Sequence, residues 1–412
     1  MRIAFIVDAF PSLSETFVLN QVTGLLDRGH DVRIWSRLPA KGSFRASLLE
    51  RYGLAERTTY APALPSSRLV RIVETLGMAW WLLCRRPLGT PRALRGPLPA
   101  SCGSRLRLLH LLCWFARHNF QIVQCHFGHN GVLAVPIKRF DPGCRLVTMF
   151  HGYDLREHME DGASFYQDLF RLGDCFQAIS AYSEGILRRF GADRSKLMRH
   201  STGIRPGLFH AHPRTMPGLH EPMVILSVGR LVPEKAFHVS LQALRLVRDR
   251  MPEQMVNFRI VGDGPLRCEL ERLTKELDLQ ECVQFLGPMG HAAVAEEMGR
   301  AHVLLLSSEQ EVLPTVLLEA QASELPAVAT DIAAVPEAVV PDRSALLVPP
   351  GDFEALAERL GYLLGHPEVW GEMGRVGREF VEANYDIDRL NDRLVRIYEE
   401  LLSGRGVGDP GL

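Results

Sequence analysis

Short apolar, β-branched runs alternate with longer amphipathic stretches from one end of the chain to the other. In the first half, Ile3–Val7, Val32–Trp35, Ile122–Cys125, Leu146–Phe150 and Cys175–Ile179 predict strands. In the second half, Val224–Val228, Phe258–Val261, Val283–Leu286, Val303–Leu306, Ala327–Ala329 and Leu346–Val348 do the same. Between them, segments such as Phe237–Val247 and Pro265–Leu277 repeat their apolar residues at helical spacing. Strand–helix alternation is the mark of parallel sheets covered by helices on both faces. It occurs twice here. The break falls at Arg205–Pro222, a stretch with four Pro, two Gly and three His and no clear periodicity, which is a linker composition. After Gly365 the pattern is helical to near Leu402, interrupted near Tyr385–Asp386, and Gly404–Leu412 reads as a frayed tail.

These patterns predict an α/β chain of two doubly wound, Rossmann-like domains, residues 1–205 and 206–385, with a C-terminal helix and tail over 386–412. The two domains are expected to face a cleft, with ligands at the C-terminal ends of the strands. A length of 412 residues agrees with two large domains and is ample for sizeable cores.

Composition narrows the class. With 47 Lys plus Arg against 48 Asp plus Glu, the net charge is −1, so a general nucleic-acid binder is excluded. The eight cysteines form no Cys-x-x-Cys pair and no zinc spacing with His; buried free thiols in a reducing cytosol are expected, Cys84 in Trp-Leu-Leu-Cys being an example. Met1–Val7 is broken by Asp8 and reads as a first strand rather than a signal peptide. The longest strongly apolar run, Leu76–Cys84, is far below the ~18 residues that cross a bilayer. A cytoplasmic protein, soluble or peripheral to a membrane, is the expectation.

Candidate chemistry concentrates in the second half. The strand ending at Val228 runs into Gly229-Arg230-Leu-Val-Pro-Glu-Lys235 and then a helix. One cation at a strand end and another at a helix mouth can grip a diphosphate, although two surface cations on a loop would look the same. Gly262-Asp263-Gly264-Pro265, after the next strand, is a tight turn that lets backbone approach a ligand, or a turn and nothing more. Glu311-Val-Leu-Pro314-Thr-Val-Leu-Leu-Glu319 is sharper, because Pro314 sits where a helix should start. Two carboxylates around a positive helix end suit a ligand with hydroxyls at both ends and phosphate in the middle, which is the form of a nucleotide sugar.

With these strings the chain resembles the retaining glycosyltransferases of family 4, with a GT-B fold. Further support comes from Phe285-Leu286-Gly287, Val335-Pro-Glu-Ala338, and His151-Gly152-Tyr153-Asp154 after a first-half strand. Phe10–Gln21 together with His126-Phe127-Gly128 is similar to the branch that includes colanic acid and exopolysaccharide biosynthesis transferases. The resemblance implies that C-terminal helices cross back to the first domain. It implies that Arg230 and Lys235 neutralise the donor diphosphate, that Glu311 holds hydroxyls of the transferred sugar, and that Glu319 holds the ribose. Gly229, Gly262 and Gly264 would line the donor, as would Leu313, Pro314, Thr315 and Val316, where backbone amides would cap a phosphate. His151 would lie near the reacting centre, and Ser14, Glu15 and Thr16 in the loop where acceptor and phosphate meet. The family's reaction retains anomeric configuration by front-face attack, the acceptor proton leaving with the phosphate, so neither a separate base nor a metal or other cofactor is expected.

The chain departs from the family pattern at several glycines. Val312 follows Glu311, Ala236 follows Lys235, Glu324 precedes Leu-Pro and Ala345 replaces another, while Arg205 stands for a frequent Asp. A β-branched residue at 312 restricts backbone approach beside the sugar-binding acid and leaves the donor sugar open. Asp386-Ile-Asp388 is read as a helix cap rather than a metal motif, and no metal site is expected. His126 and His129 follow a strand, with no carboxylate partner in sight, and are read as cleft or loop residues. Residues 68–118 stand apart, with nine Arg against Glu74, a local charge of +8 that leaves −9 for the rest, and with Trp80, Trp81 and Trp114 among leucines. A core helix with solvated arginines, contact with an anionic membrane, or a protein partner would each fit. The expected function is transfer of a sugar from a nucleoside diphosphate donor to a glycan or glycolipid acceptor; glycosylation of a soluble natural product and non-catalytic nucleotide-sugar binding are the alternatives.

Overall fold

A computed structural model describes residues 1–12, 15–39, 46–95, 102–211, 214, 216–218 and 221–404. The chain divides into two compact units, Met1–Thr202 with Ile387–Leu412, and Gly203–Asp386. Among the described residues, the first unit holds β1 (Arg2–Ala9), β2 (Asp31–Leu38), β3 (Thr58–Tyr60), β4 (Ile122–His126), β5 (Arg145–Phe150), β6 (Cys175–Ala178) and β7 (Leu197–Arg199). They form one parallel sheet in the order β3-β2-β1-β4-β5-β6-β7. The second unit holds β8 (Met223–Val228), β9 (Val256–Val261), β10 (Val283–Gly287), β11 (Val303–Leu306), β12 (Ala327–Thr330) and β13 (Ala345–Val348). Its parallel sheet has the order β10-β9-β8-β11-β12-β13. Every strand expected from the sequence is present. The two that pattern did not reveal, β3 and β7, are three-residue edge strands without an apolar run of their own.

The period-two geometry of a strand splits each apolar run between two cores. In β1, Ala4 and Ile6 join the Leu108–Phe115 side chains of the Cys102–His118 helix on one face. Ile3, Phe5 and Val7 join Val18, Val22 and Leu25 on the other. The same alternation divides Ile225 from Leu226 and Leu305 from Leu304 in the second unit.

The last helix, Ile387–Ser403, belongs to the first unit, where Leu394, Ile397 and Tyr398 complete the second face. The preceding helix, Trp370–Asn384, stays in the second unit, so a single helix makes the crossing. Tyr398 donates to Gln124 Oε1 at 2.8 Å, and Gln124 Nε2 donates to Gln177 Oε1 at 3.1 Å, a buried polar chain laid across the sheet. Arg28 pins the helix start by donating to Asp392 at 2.7 Å and to the Asp388 carbonyl at 2.8 Å. Asp386 directly precedes this helix and Asp388 lies in its first turn, where negative charge suits the helix dipole.

The Pro- and His-rich stretch after Thr202 is part of the second unit. Phe209 is buried in its core, and the Arg214 guanidinium donates to the carbonyls of Met298, Ala301, Ser323 and Glu324 at 2.8–2.9 Å. These carbonyls lie at the C-terminal ends of two helices, which Arg214 thereby satisfies. The thiols differ from expectation in part: Cys113, Cys125, Cys144, Cys175 and Cys282 are buried, but Cys84 and Cys268 are exposed.

Gly24 sets how closely the Thr16–Asp27 helix meets the last helix, since a Cβ there would lie 2.0 Å from Nδ2 of buried Asn391. Gly24→Ala should destabilise the first unit by about 1–3 kcal/mol through overpacking. Thermal unfolding followed by circular dichroism checks this, and an unchanged midpoint would contradict the packing.

Candidate functional site

In both sheets the chain winds outward in two directions from a central strand pair. The order reverses between β1 and β4 in the first unit and between β8 and β11 in the second. No crossover helix covers the strand ends at such a point, so loops from both sides converge on a crevice. The charged groups expected from the sequence lie in the loops beside these two points.

In the second unit, β8 leads through Gly229 and Arg230 to a 3-10 turn, Pro233–Lys235, and then the Phe237–Arg250 helix. Lys235 Nζ forms an ion pair with Glu311 Oε1, from the loop after β11. Ser308 Oγ donates to the same carboxylate oxygen at 2.9 Å. The amides of Glu309 and Gln310 donate to the Glu234 carbonyl at 2.9 and 3.2 Å, locking the two loops together. Arg230, five residues before Lys235 in the same loop, is exposed. Gly262, at φ +141°, closes the third side: a Cβ there would lie 1.9 Å from the Gly229 carbonyl oxygen. The Leu231 amide donates to the Asp263 carbonyl at 3.0 Å, and Gly264 N to Asp263 Oδ1 at 2.8 Å. Arg230, Lys235 and Glu311 are thus held by three interlocked loops at one sheet edge.

Pro314 is the N-cap of the Thr315–Ala322 helix, as its position in the sequence suggested, with Leu313 before it and Val316 in the first turn. Glu319, further along this helix, is buried and lies 3.6 Å from His291 Nδ1. Burial raises its carboxyl to about 7, so near neutrality it can accept or donate a hydrogen bond.

In the first unit, β1 ends at Ala9, just past Asp8, and β4 leads into the Gly128–Phe140 helix. Asp8 Oδ2 bonds His129 Nε2 at 2.5 Å and Asp8 Oδ1 accepts from Arg37 at 2.8 Å. His129 therefore has a carboxylate partner, contrary to the expectation that it had none; the two are 121 residues apart and meet because β1 and β4 are adjacent. Burial opposes ionisation of Asp8, but His129 and Arg37 outweigh it and hold the carboxyl below its ordinary value. Glu15 precedes the Thr16–Asp27 helix at its N-cap without capping it, and its buried Oε2 has no hydrogen-bond partner among the described residues. Burial, reinforced by the charge of Asp8, pushes Glu15 up to about 7. Thr16 opens that helix, while Ser14 lies outside the described residues.

His151 follows β5. Its Nε2 is 2.9 Å from Nδ1 of buried His126, and its ring stacks on Phe17 with centroids 4.4 Å apart. Burial, then the proximity of His126, holds His151 far below the ordinary histidine range, so it is neutral. Asp154, whose role composition did not disclose, accepts from the amides of Gly128, His151 and Gly152 at 2.6, 3.0 and 2.8 Å. This fully buried carboxylate clips together the turns after β4 and β5 and fixes the backbone that carries His151.

Residues 14–207 match Glycosyltransferase Family 4, and residues 216–380 match Glycosyl transferases group 1. The colanic acid biosynthesis glycosyltransferase WcaL of Escherichia coli K12 is 30% identical over 97% of this chain and 100% of its own length. The chain belongs to glycosyltransferase family 4. The amylovoran biosynthesis glycosyltransferase AmsK of Erwinia amylovora is likewise 30% identical, over 87% of this chain and 89% of its own. Among solved structures, Anabaena HepE in complex with UDP superposes with a TM-score of 0.73 at 17% identity, covering 97% of this chain and 100% of that one. Sucrose-phosphate synthase of Thermosynechococcus elongatus gives 0.71 at 18%, covering 98% and 100%. The fold of this family 4 glycosyltransferase is therefore GT-B.

Two departures from the family pattern have a conformational meaning. Ala236 and Glu324 stand at φ +44° and +56°, in the left-handed region. A Cβ there costs about 1–2 kcal/mol, which glycine avoids at a smaller entropic cost. Glu324→Gly should thus raise stability by roughly 0.5 kcal/mol or more; a lower unfolding midpoint would contradict this. For Glu319→Gln the test is pH. The folded state holds Glu319 protonated at pH values where the unfolded carboxyl, near 4.5, is ionised. Its contribution is full below the unfolded value and is lost as pH rises through about 7. The variant should gain on the parent between about pH 5 and about pH 8, by up to ~3 kcal/mol. Parallel stability–pH curves would show that Glu319 is not buried as described.

Proposed function

We propose that this glycosyltransferase moves a sugar from a nucleoside diphosphate donor to a lipid-linked glycan, with retention of anomeric configuration, in exopolysaccharide assembly at the cytoplasmic face of a membrane. The observation that carries the reading is the Lys235–Glu311 pair, held with Arg230 and the glycine loops beside the β8/β11 reversal. Support also comes from the relatives, named for colanic acid and amylovoran biosynthesis, and from HepE, which was solved with UDP and with UDP-glucose.

As the bond between the anomeric carbon and the diphosphate oxygen breaks, negative charge grows on that oxygen. Arg230 and Lys235 stabilise it, and amides at the start of the Thr315–Ala322 helix add their dipoles. Glu311 does two things at once: it orients the Lys235 ammonium and offers its other oxygen to a sugar hydroxyl. Glu319 takes the ribose hydroxyls. The acceptor hydroxyl attacks the anomeric carbon from the face the diphosphate leaves and gives its proton to the departing phosphate oxygen. Two fixed cations supply the charge that a divalent metal supplies elsewhere, so no metal is required. Neutral His151 hydrogen-bonds the donor sugar or phosphate, and Glu15 and Thr16 meet the acceptor.

Nucleotide release over a panel of nucleoside diphosphate sugars, with bacterial lipid extract as acceptor and mass spectrometry of the product, tests this. Lys235→Ala and Glu311→Ala should each lower turnover by at least about a hundredfold. Near-normal rates would refute the assignments. Tight donor binding without turnover would leave a non-catalytic sugar-nucleotide binder, and turnover on soluble acceptors alone would remove the lipid-linked glycan.

A further inference from the structure

The arginine- and tryptophan-rich segment resolves into helices of different character. In Cys102–His118, the side chains Leu106, Leu108, Leu109, Leu111, Leu112, Trp114 and Phe115 are buried, so this helix is core. In the 18-residue helix Arg68–Arg85, only Leu82 is buried. The helix is seated on the core by Met78, Trp81 and Leu82. Trp81 is held by Arg85 and Arg117, whose guanidinium carbons lie 4.7 and 5.4 Å from its ring centroid.

Away from that seat, the side chains of Leu69, Val73, Leu76, Trp80 and Leu83 recur at steps of four and three and so form one stripe along the helix. They are 75, 69, 65, 70 and 37% exposed, with Val70 and Ile72 exposed beside them. Scattered apolar residues on a surface need no explanation, but an apolar stripe three turns and more in length does. The charge around it is mostly positive, the exceptions being Glu74 within the helix and Asp141, which pairs with Arg86 at 2.8 Å. Arg68 opens the helix and Arg85 and Arg86 close it. Arg92, Arg95 and Arg107, further along the chain, are exposed, and Glu74 is the single acid between residues 68 and 118.

We propose that the Arg68–Arg85 helix lies in the plane of an anionic phospholipid surface, with Leu69, Val73, Leu76, Trp80 and Leu83 inserted at the level of the headgroups. Charge complementarity selects this occupant. A second copy of the chain seated on the stripe would bring two segments of like charge together, whereas anionic headgroups neutralise them. Arginine stems lie along apolar surface while their heads stay in water, and tryptophan favours the interface, so the residue types suit in-plane insertion. Among the described residues, no helix is long and apolar enough to cross a membrane, which leaves lying on the surface as the mode of contact for this one. The inference deepens the reading of a lipid-linked acceptor, because it puts the first unit on the surface where such an acceptor is anchored. It is tested by binding, which needs no turnover.

The experiment is flotation of the full chain with vesicles of phosphatidylcholine alone or mixed with phosphatidylglycerol. Binding should require phosphatidylglycerol and weaken with salt. Leu76→Ser combined with Trp80→Ser should reduce it at least about tenfold while leaving the unfolding midpoint unchanged, since both side chains are exposed. Equal binding of parent and variant, or no binding by the parent, would overturn the proposal. Loss of a dimer in the variant, without any vesicle binding by the parent, would overturn it in favour of a self-contact. Donor turnover without vesicle binding would sink this inference alone, and vesicle binding without turnover would sink the transferase reading alone.

Discussion

Everything distinctive about this molecule depends on where its two parallel sheets reverse direction. A crossover helix covers the ends of strands that follow one another in sequence and in space, but none covers β1 against β4 or β8 against β11. Only there can loops separated by many tens of residues bring side chains together at the C-terminal edge. An acid–base pair occupies each reversal, Asp8 with His129 and Glu311 with Lys235. The rest of each unit fixes the strand order that makes these meetings possible. Apolar residues alternate between two cores, and in the first unit the last helix closes the second face.

The two edges differ in their electrostatics. In the second unit the loops carry both signs, with Arg230 exposed and Lys235 paired to a carboxylate that also accepts from Ser308. On the proposed reading, Arg230 and Lys235 are the groups that would meet a phosphate there. In the first unit His126, which contacts His151, and His200 are neutral: burial, then the proximity of His200, holds His126 at about 3, and burial, then Arg393, holds His200 at about 3. Arg37 and His129 both meet the Asp8 carboxylate, and Glu15 lies near its midpoint at neutral pH.

Much of this was legible in the sequence, and what was not has physical reasons. Strands buried on both faces announce themselves as continuous apolar runs, which is why β1, β4, β8 and β11 were visible and the three-residue edges β3 and β7 were not. The loops that bring Lys235 and Glu311 together were legible because Gly229–Lys235 and Glu311–Glu319 are short strings, each contained in one loop and the start of one helix. The Asp8–His129 pair was hidden because nothing local joins residues 121 apart. Asp154 was visible only as the end of a motif, because a carboxylate that binds backbone amides leaves no partner in the sequence. Composition also could not separate the Arg68–Arg85 helix from the Cys102–His118 helix. Both carry Arg, Leu and Trp, and only packing shows that one is buried in the core while the other rests on it by Met78, Trp81 and Leu82 alone.

The replaced glycines bear on specificity in the same physical terms. At Ala236 and Glu324 the backbone is left-handed, so glycine in relatives answers a conformational demand, and its loss costs stability without changing the shape of the loop. Val312 has no positive φ, so the backbone there does not demand glycine. What valine changes is space: a buried, branched side chain follows Glu311 directly, where glycine would leave the main chain open. Lys235 and Ser308 still fix the Glu311 carboxylate from the other side, so the acid keeps its orientation while the room beside it shrinks. On the proposed reading, bulk at 312 would act on which sugar fits against Glu311 while Arg230 and Lys235 keep their places, so donor choice and leaving-group stabilisation would be set by different residues.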